Sequence, residues 1–155
     1  MLQFCSNQIF SFNSMQLCYW SIDKLPGIKP EEQNLLKAFG INTTKQLLAV
    51  ASNPQTQQTL ATQLKLSNRY ISKWVALADL ARLPSVGCQY CGLLLHSGIA
   101  SVLQLSQTSF PRLHRQIVKL HIATMQSKEL SPSLEQVKQW IEEAKSISMV
   151  TKARF

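Results

Sequence analysis

The stretch LPGI at residues 25–28 returns as LPSV at residues 83–86. Without gaps, residues 25–49 and 83–107 share eight identities. These are Leu25-Pro26 with Leu83-Pro84, Leu35-Leu36 with Leu93-Leu94, Gly40-Ile41 with Gly98-Ile99, and Gln46-Leu47 with Gln104-Leu105. Self-similarity at a fixed spacing is the signature of repeated units. We therefore predict two copies of one unit, residues 20–82 and 83–148, with residues 1–19 and 149–155 as tails.

Within each copy, the spacing of apolar residues predicts about four short helices. Pro30 suits the start of a helix that ends at Gly40, and Asn53-Pro54 has the same cap-and-proline signal. In the second copy, Ser109 precedes a long helix that continues to about Lys128, and Ser131 precedes the final helix. No stretch alternates as a strand would. The predicted fold is all-α, and Trp74 and Trp140 recur at matching places, so they are predicted core anchors.

The composition favours a packed domain with a cationic surface. The chain has 155 residues, 45% of them hydrophobic, and its 16 lysines and arginines against 8 acids give a formal charge of +8. Such an excess of cations favours polyanionic partners. No uncharged apolar run approaches the roughly 18 residues of a membrane span. Residues 1–20 hold no lysine or arginine, which a signal peptide needs, so we expect a cytoplasmic protein. Met15 is an alternative start, and residues 1–14 are then an extension or a flexible tail.

The four cysteines are Cys5, Cys18, Cys88 and Cys91. A disulfide framework is not expected in a chain of this size without a secretory signal. Cys88 and Cys91 have the C-x-x-C spacing, but a zinc site needs two further ligands. Buried free cysteines also act as small hydrophobic residues. We therefore predict packing for these thiols, with no metal, no cofactor and no redox role.

The repeated segment resembles the helix-hairpin-helix module, in which a tight turn separates two short helices. Both copies together resemble a family of tandem helix-hairpin-helix proteins, common in bacteria and cyanobacteria and known only as a domain of unknown function. The resemblance spans roughly residues 20–147 and includes Trp74, Tyr90 and Trp140-Ile141. It implies two SAM-like helical units and a habit of binding DNA or protein. The family implies no established activity.

The DNA-binding form of this module has two glycines in its turn, where free backbone N–H groups at a helix start can hold a phosphate. Here Gly27-Ile28-Lys29 keeps only the first glycine, and Ser85-Val86-Gly87 keeps only the second. Lys29 cannot easily replace a glycine with positive φ, although its charge could add a phosphate contact. Two interpretations of these turns stay open. They bind phosphate through Gly27, Lys29 and Gly87, or they merely connect helices.

A cationic stripe lies in the second copy. Between Asp79 and Glu129 the chain has no acid, and Arg112, Arg115 and Lys119 are spaced to share one helix face. Such a face can follow a phosphate backbone, or it can simply be solvated. No aromatic residue lies among these charges, so stacking on single strands has little support there.

Enzyme motifs are absent from the sequence: there is no phosphate-binding loop, no nucleophile elbow and no acid pair beside an apolar pocket. Glu142 and Glu143 are interpreted as exposed helix charges. We therefore predict no catalytic residues and no enzymatic activity. The functional hypothesis is a module that contacts nucleic-acid phosphates without strong sequence specificity, and the alternative is a protein-interaction scaffold. The predicted contact residues are Gly27, Lys29, Gly87, Arg112, Arg115 and Lys119.

Overall fold

The computed structural model describes residues 16–123 and 132–153, and this part of the chain is mostly helical. A short 3-10 helix at Ile22–Lys24 comes first. The α-helices are α1 Pro30–Ala38, α2 Thr44–Val50, α3 Pro54–Leu64, α4 Asn68–Ala81, α5 Gly87–His96, α6 Val102–Ser106, α7 Phe110–Ala123 and α8 Leu134–Ala153. Within the described ranges there is no strand, only an isolated bridge between Ser21 and Thr43. The predicted all-α fold is confirmed. The predicted continuation of α7 to Lys128 lies outside the described residues.

Side-chain caps explain where the helices begin. The Thr43 side chain accepts a hydrogen bond from the N–H of Gln46, and the Asn53 side chain accepts one from the N–H of Thr56. At α8 the cap is Ser133, whose Oγ accepts from the N–H of Gln136 at 3.2 Å. The Ser133 N–H in turn donates to Gln136 Oε1 at 2.9 Å, which completes a capping box. The predicted cap at Ser131 lies outside the described residues.

Two of the helices end on a glycine in the same way. Gly40 follows α1 with φ of +79°, and Gly98 follows α5 with φ of +93°. In each case the N–H of the next isoleucine donates to the carbonyl of a leucine five residues earlier, at 2.9 and 3.0 Å. Glycine favours this left-handed geometry, so the sequence pair Gly-Ile sets both helix ends.

The two halves of the chain pack alike. In the first half α2 and α3 pack on α4, and in the second half α6 and α7 pack on α8. Helix α4 also packs on α5, which joins the halves. Trp74 in α4 and Trp140 in α8 are both 0% exposed, within one hydrophobic core to which both halves contribute. The predicted burial of both tryptophans is therefore confirmed.

Segments at both ends of the described chain extend this packing. Cys18 is buried and donates its N–H to the carbonyl of Arg82 at 2.8 Å, so the predicted tail already contacts the core before residue 20. At the other end α8 continues to Ala153, so residues 149–153 of the predicted tail are helical. The predicted extension at residues 1–14 and the alternative start Met15 lie outside the described residues. Of the described helices, none combines the length and apolar character that crossing a membrane requires.

Candidate functional site

The LPGI turn, residues 25–28, offers few free backbone donors. Gly27 is exposed with φ of +78°. After it, the N–H of Lys29 donates to Glu32 Oε2 at 2.8 Å, and Pro30 has no N–H at all. Glu31 and Glu32 also place negative charge at the start of α1, where a phosphate would have to lie. The start of α1 is therefore closed by its own carboxylate, whereas the Lys29 side chain is exposed.

A cation from α4 lies beside the same turn. The Nζ of Lys73 is 3.5 Å from the position that a Cβ on Gly27 would occupy. Lys73 is exposed, and Arg69, one helical turn earlier on α4, is exposed as well. Neither residue was predicted from the sequence, because the approach of Lys73 to the turn depends on how α4 packs and no local pattern shows it.

The LPSV turn, residues 83–86, is held by α8. The N–H of Ser85 donates to Glu143 Oε1 at 3.1 Å, and the Ser85 hydroxyl donates to Glu143 Oε2. The indole Nε1 of Trp140 donates to the Ser85 carbonyl at 3.1 Å. Glu143 is only 9% exposed, so its interpretation as an exposed helix charge is wrong. Its carboxylate fills the place that an anion would take at this turn.

Gly87, the first residue of α5, has a packing role. It is buried with φ of +54°, and a Cβ there would lie 3.2 Å from Cζ2 of Trp20. Its N–H donates to the carbonyl of Leu83 at 3.0 Å. The indole of Trp20 is fixed in turn by a 2.8 Å hydrogen bond from Nε1 to the Ala81 carbonyl. This geometry disfavours Gly87 as a phosphate donor, because its N–H is engaged and its surface is covered.

The cations of α7 form an exposed face. Arg112, Arg115 and Lys119 are all exposed, whereas Leu113 and Ile117 on the opposite face are buried. None of the three cations forms an ion pair with a described acid, and the single salt bridge in residues 16–123 and 132–153 joins Arg82 to Asp79 at 2.8 Å. The structure thus groups the three cations as predicted. No described hydrogen bond or ion pair connects them to Gly27 or Gly87.

The C-x-x-C cysteines are shielded from solvent. Cys88 is half-buried and Cys91 is buried, and both are free. Burial raises the pKa of Cys88 to about 11. Burial, with a smaller contribution from Cys88, raises the pKa of Cys91 to about 12. Thiols that stay protonated at neutral pH are weak nucleophiles and poor metal ligands. The described side chains also include no group of three or more His, Cys, Asp or Glu residues placed to hold a metal ion.

Cys18 differs from the other described cysteines. It is buried and takes part in a disulfide bond. Since Cys88 and Cys91 are free, the C-x-x-C pair supplies no partner for it. The sequence did not predict this single bond, because a cysteine near the start of the chain has no sequence signal beyond its presence.

Comparison with known proteins matches the chain to one family model. No match was found among curated proteins or among solved structures. A family model described as "Domain of unknown function (DUF4332)" matches residues 26–147. The match runs from Pro26 in the LPGI turn to the buried Ile147 in α8, and it therefore includes both halves of the fold. Because it covers most of the sequence, the chain belongs to the family described as Domain of unknown function (DUF4332).

Proposed function

We propose that this protein is a non-enzymatic module that binds the phosphate backbone of nucleic acid without strong sequence specificity. The observation that carries the proposal is the exposed face of α7, on which Arg112, Arg115 and Lys119 form no ion pair with a described acid. Cations on one helix face can neutralise successive phosphates and release the counterions around them. The net charge of +8 supports the same class of partner.

The two turns contribute less to this proposal than the helix-hairpin-helix resemblance suggests. The Lys29 N–H is engaged by Glu32, and the Ser85 N–H is engaged by Glu143. A phosphate at either turn would meet a carboxylate already in place. Side chains rather than turn amides are therefore the proposed contacts, and Lys29 remains a candidate through its exposed ammonium group.

The test is a fluorescence anisotropy titration of labelled duplex DNA across a salt series. The variant combines Arg112→Gln, Arg115→Gln and Lys119→Gln. We expect it to flatten the slope of log K against log salt by about two to three units, since each contact contributes roughly 0.9. The affinity for all duplex sequences should fall alike, because phosphate contacts read no sequence.

A matched control removes the same charge elsewhere. Lys37, Lys138 and Lys145 are exposed and lie outside α7, so their replacement by glutamine lowers the net charge equally. A smaller effect of this control than of the α7 variant supports the proposal. Equal effects of both variants would show attraction by net charge alone. Absence of binding by the wild-type protein at low salt would overturn the proposal.

A protein-interaction scaffold is the second candidate. The observation that favours it is a pair of exposed apolar residues at the end of α1: Leu35 in the helix is 39% exposed, and Phe39, directly after it, is 49% exposed. The two lie one helical turn apart and so share a face. Apolar exposure of this kind is typical of surfaces that bind other proteins. This candidate becomes the better one if DNA binding fails or depends on net charge alone.

A further inference from the structure

We propose a second binding site on α4, where the ring of Tyr70 stacks on an unpaired base while Arg69 and Lys73 contact the adjoining phosphates. The ligand class is single-stranded nucleic acid. This inference rests on the proposed function and deepens it, because it assigns the unpaired strand to a different helix from the backbone-binding face of α7.

The Tyr70 ring is exposed and yet firmly supported. It is 47% exposed, which is high for so large an aromatic side chain. Its inner side packs on Trp74, with ring centroids 6.3 Å apart and an interplanar angle of 43°. Because Trp74 is fully buried, Tyr70 is held by the core and still presents surface to solvent. A fixed, exposed aromatic ring is what base stacking requires, and stacking accepts every base.

Two cations flank this ring. Lys73 lies three residues after Tyr70 and four after Arg69, and residues at these spacings are neighbours on a helix surface. Both cations are exposed and pair with no described acid. Helix α4 has no acid before Asp79, and that carboxylate is held by Arg82 and by the N–H of Val102, each at 2.8 Å. The charges around Tyr70 are therefore available to a phosphate chain.

The LPGI turn lies beside the Lys73 end of the proposed site. Gly27 has no side chain, and the Lys73 ammonium lies where a Cβ on Gly27 would make van der Waals contact, at 3.5 Å. The Lys73 ammonium therefore lies against the turn backbone, next to an exposed glycine. Lys29, two residues after Gly27, is also exposed and adds a further positive charge to this turn.

The second half of the chain lacks these features. If the tryptophans Trp74 and Trp140 are aligned, the positions that match the site are Glu135, Gln136 and Gln139 on α8. These residues have no aromatic ring and no positive charge, and Glu135 is negative where Arg69 is positive. The site is therefore a property of α4 and does not follow from the helical repeat.

The experiment measures binding of labelled oligo(dT) and of an abasic strand of equal length by fluorescence anisotropy. Tyr70→Ala should weaken binding of oligo(dT) by on the order of tenfold and leave the abasic strand unchanged, because the latter has no base to stack. Tyr70→Phe should bind as the wild type does. The control is Tyr19→Ala, since Tyr19 is similarly exposed at 41% but its ring is covered by the Lys45 ammonium, 5.4 Å from the centroid.

A second variant tests the phosphate contacts without changing the Tyr70 ring. Arg69→Gln with Lys73→Gln should weaken binding of both the oligo(dT) and the abasic strand, because both carry phosphates. Oligo(dT) affinity unchanged by Tyr70→Ala, in a protein that still binds duplex DNA through α7, would overturn this inference and leave the proposed function standing. Wild-type protein that binds neither duplex nor single strand would overturn both.

Discussion

The LPGI and LPSV turns begin with the same Leu-Pro pair, but their backbone N–H groups are bonded to carboxylates in different parts of the chain. The LPGI turn has an exposed glycine, and the N–H of Lys29 that follows it is capped locally by Glu32, three residues later. The LPSV turn is fixed from a distance by Glu143 on α8. The backbone differs as well, because Gly27 has φ of +78° where Ser85 has no positive φ, and Gly87 has φ of +54° where Lys29 has φ of -72°. Duplicated turns can therefore diverge both in backbone conformation and in the partners of their polar groups.

The two core tryptophans show the same contrast. Trp140 Nε1 donates to the Ser85 carbonyl of the LPSV turn at 3.1 Å. Trp74 Nε1 is buried and has no hydrogen-bond partner in the part of the chain that the structure describes. When the tryptophans are aligned, Leu77 occupies the place of Glu143. Helix α8 thus fixes its turn through polar groups, whereas no hydrogen bond within residues 16–123 and 132–153 joins α4 to the LPGI turn.

Removal of either tryptophan should give the largest loss of stability, and the difference between the two losses tests the contrast between α4 and α8. We expect Trp140→Ala and Trp74→Ala each to lower the free energy of unfolding by about 3–5 kcal/mol, as large buried aromatic residues do. Trp140→Ala should cost more, because it also removes the hydrogen bond to the LPSV turn. Urea denaturation followed by circular dichroism measures both. A larger loss for Trp74→Ala would contradict the assignment of the polar anchor to α8.

The carboxylates that cap the two turns should differ by a smaller amount. Glu143→Ala should lower the free energy of unfolding by about 2–3 kcal/mol, because it leaves the largely buried Ser85 donors unsatisfied. Glu32→Ala should cost less than about 1 kcal/mol, since water can replace it at the exposed Lys29 N–H.

Glu142 provides the matched control for this pair. It is the exposed neighbour of Glu143 on α8, and its replacement by alanine should change stability by less than about 0.5 kcal/mol. The same denaturation curves decide the outcome. Equal losses for Glu143→Ala and Glu142→Ala would mean that the LPSV turn does not depend on its distant carboxylate.

Local sequence signals predicted the framework of the fold but not its candidate sites. The cap at Asn53 and the helix end at Gly40 depend on hydrogen bonds that span at most five residues of the chain, so the sequence shows them directly. The Ser85–Glu143 contact joins residues 58 positions apart, and no spacing rule brings them together. For the same reason, the α7 face could be predicted from one helix, whereas the approach of Lys73 to Gly27 could not.

Alanine at the two turn glycines should separate the two turns by less than alanine at the two carboxylates does, and so it sharpens the comparison. Gly27 and Gly87 both have positive φ, so alanine strains either site by about 1 kcal/mol. Gly87→Ala should cost about 2 kcal/mol in total, because its Cβ also meets the Trp20 ring at 3.2 Å. At Gly27 the neighbour is the flexible end of Lys73, which can move away.

The control for these glycine variants is Gly40→Ala, which isolates the backbone strain. Gly40 has φ of +79°, and no atom lies within 4 Å of the position its Cβ would take. Thermal and urea unfolding should therefore place Gly40→Ala beside Gly27→Ala and rank Gly87→Ala below both in stability. Duplex DNA affinity should be unchanged in folded Gly87→Ala, since the N–H of Gly87 already bonds to Leu83. A stable Gly87→Ala variant with weakened DNA binding would instead restore this glycine to the phosphate-binding role that the sequence predicts for it.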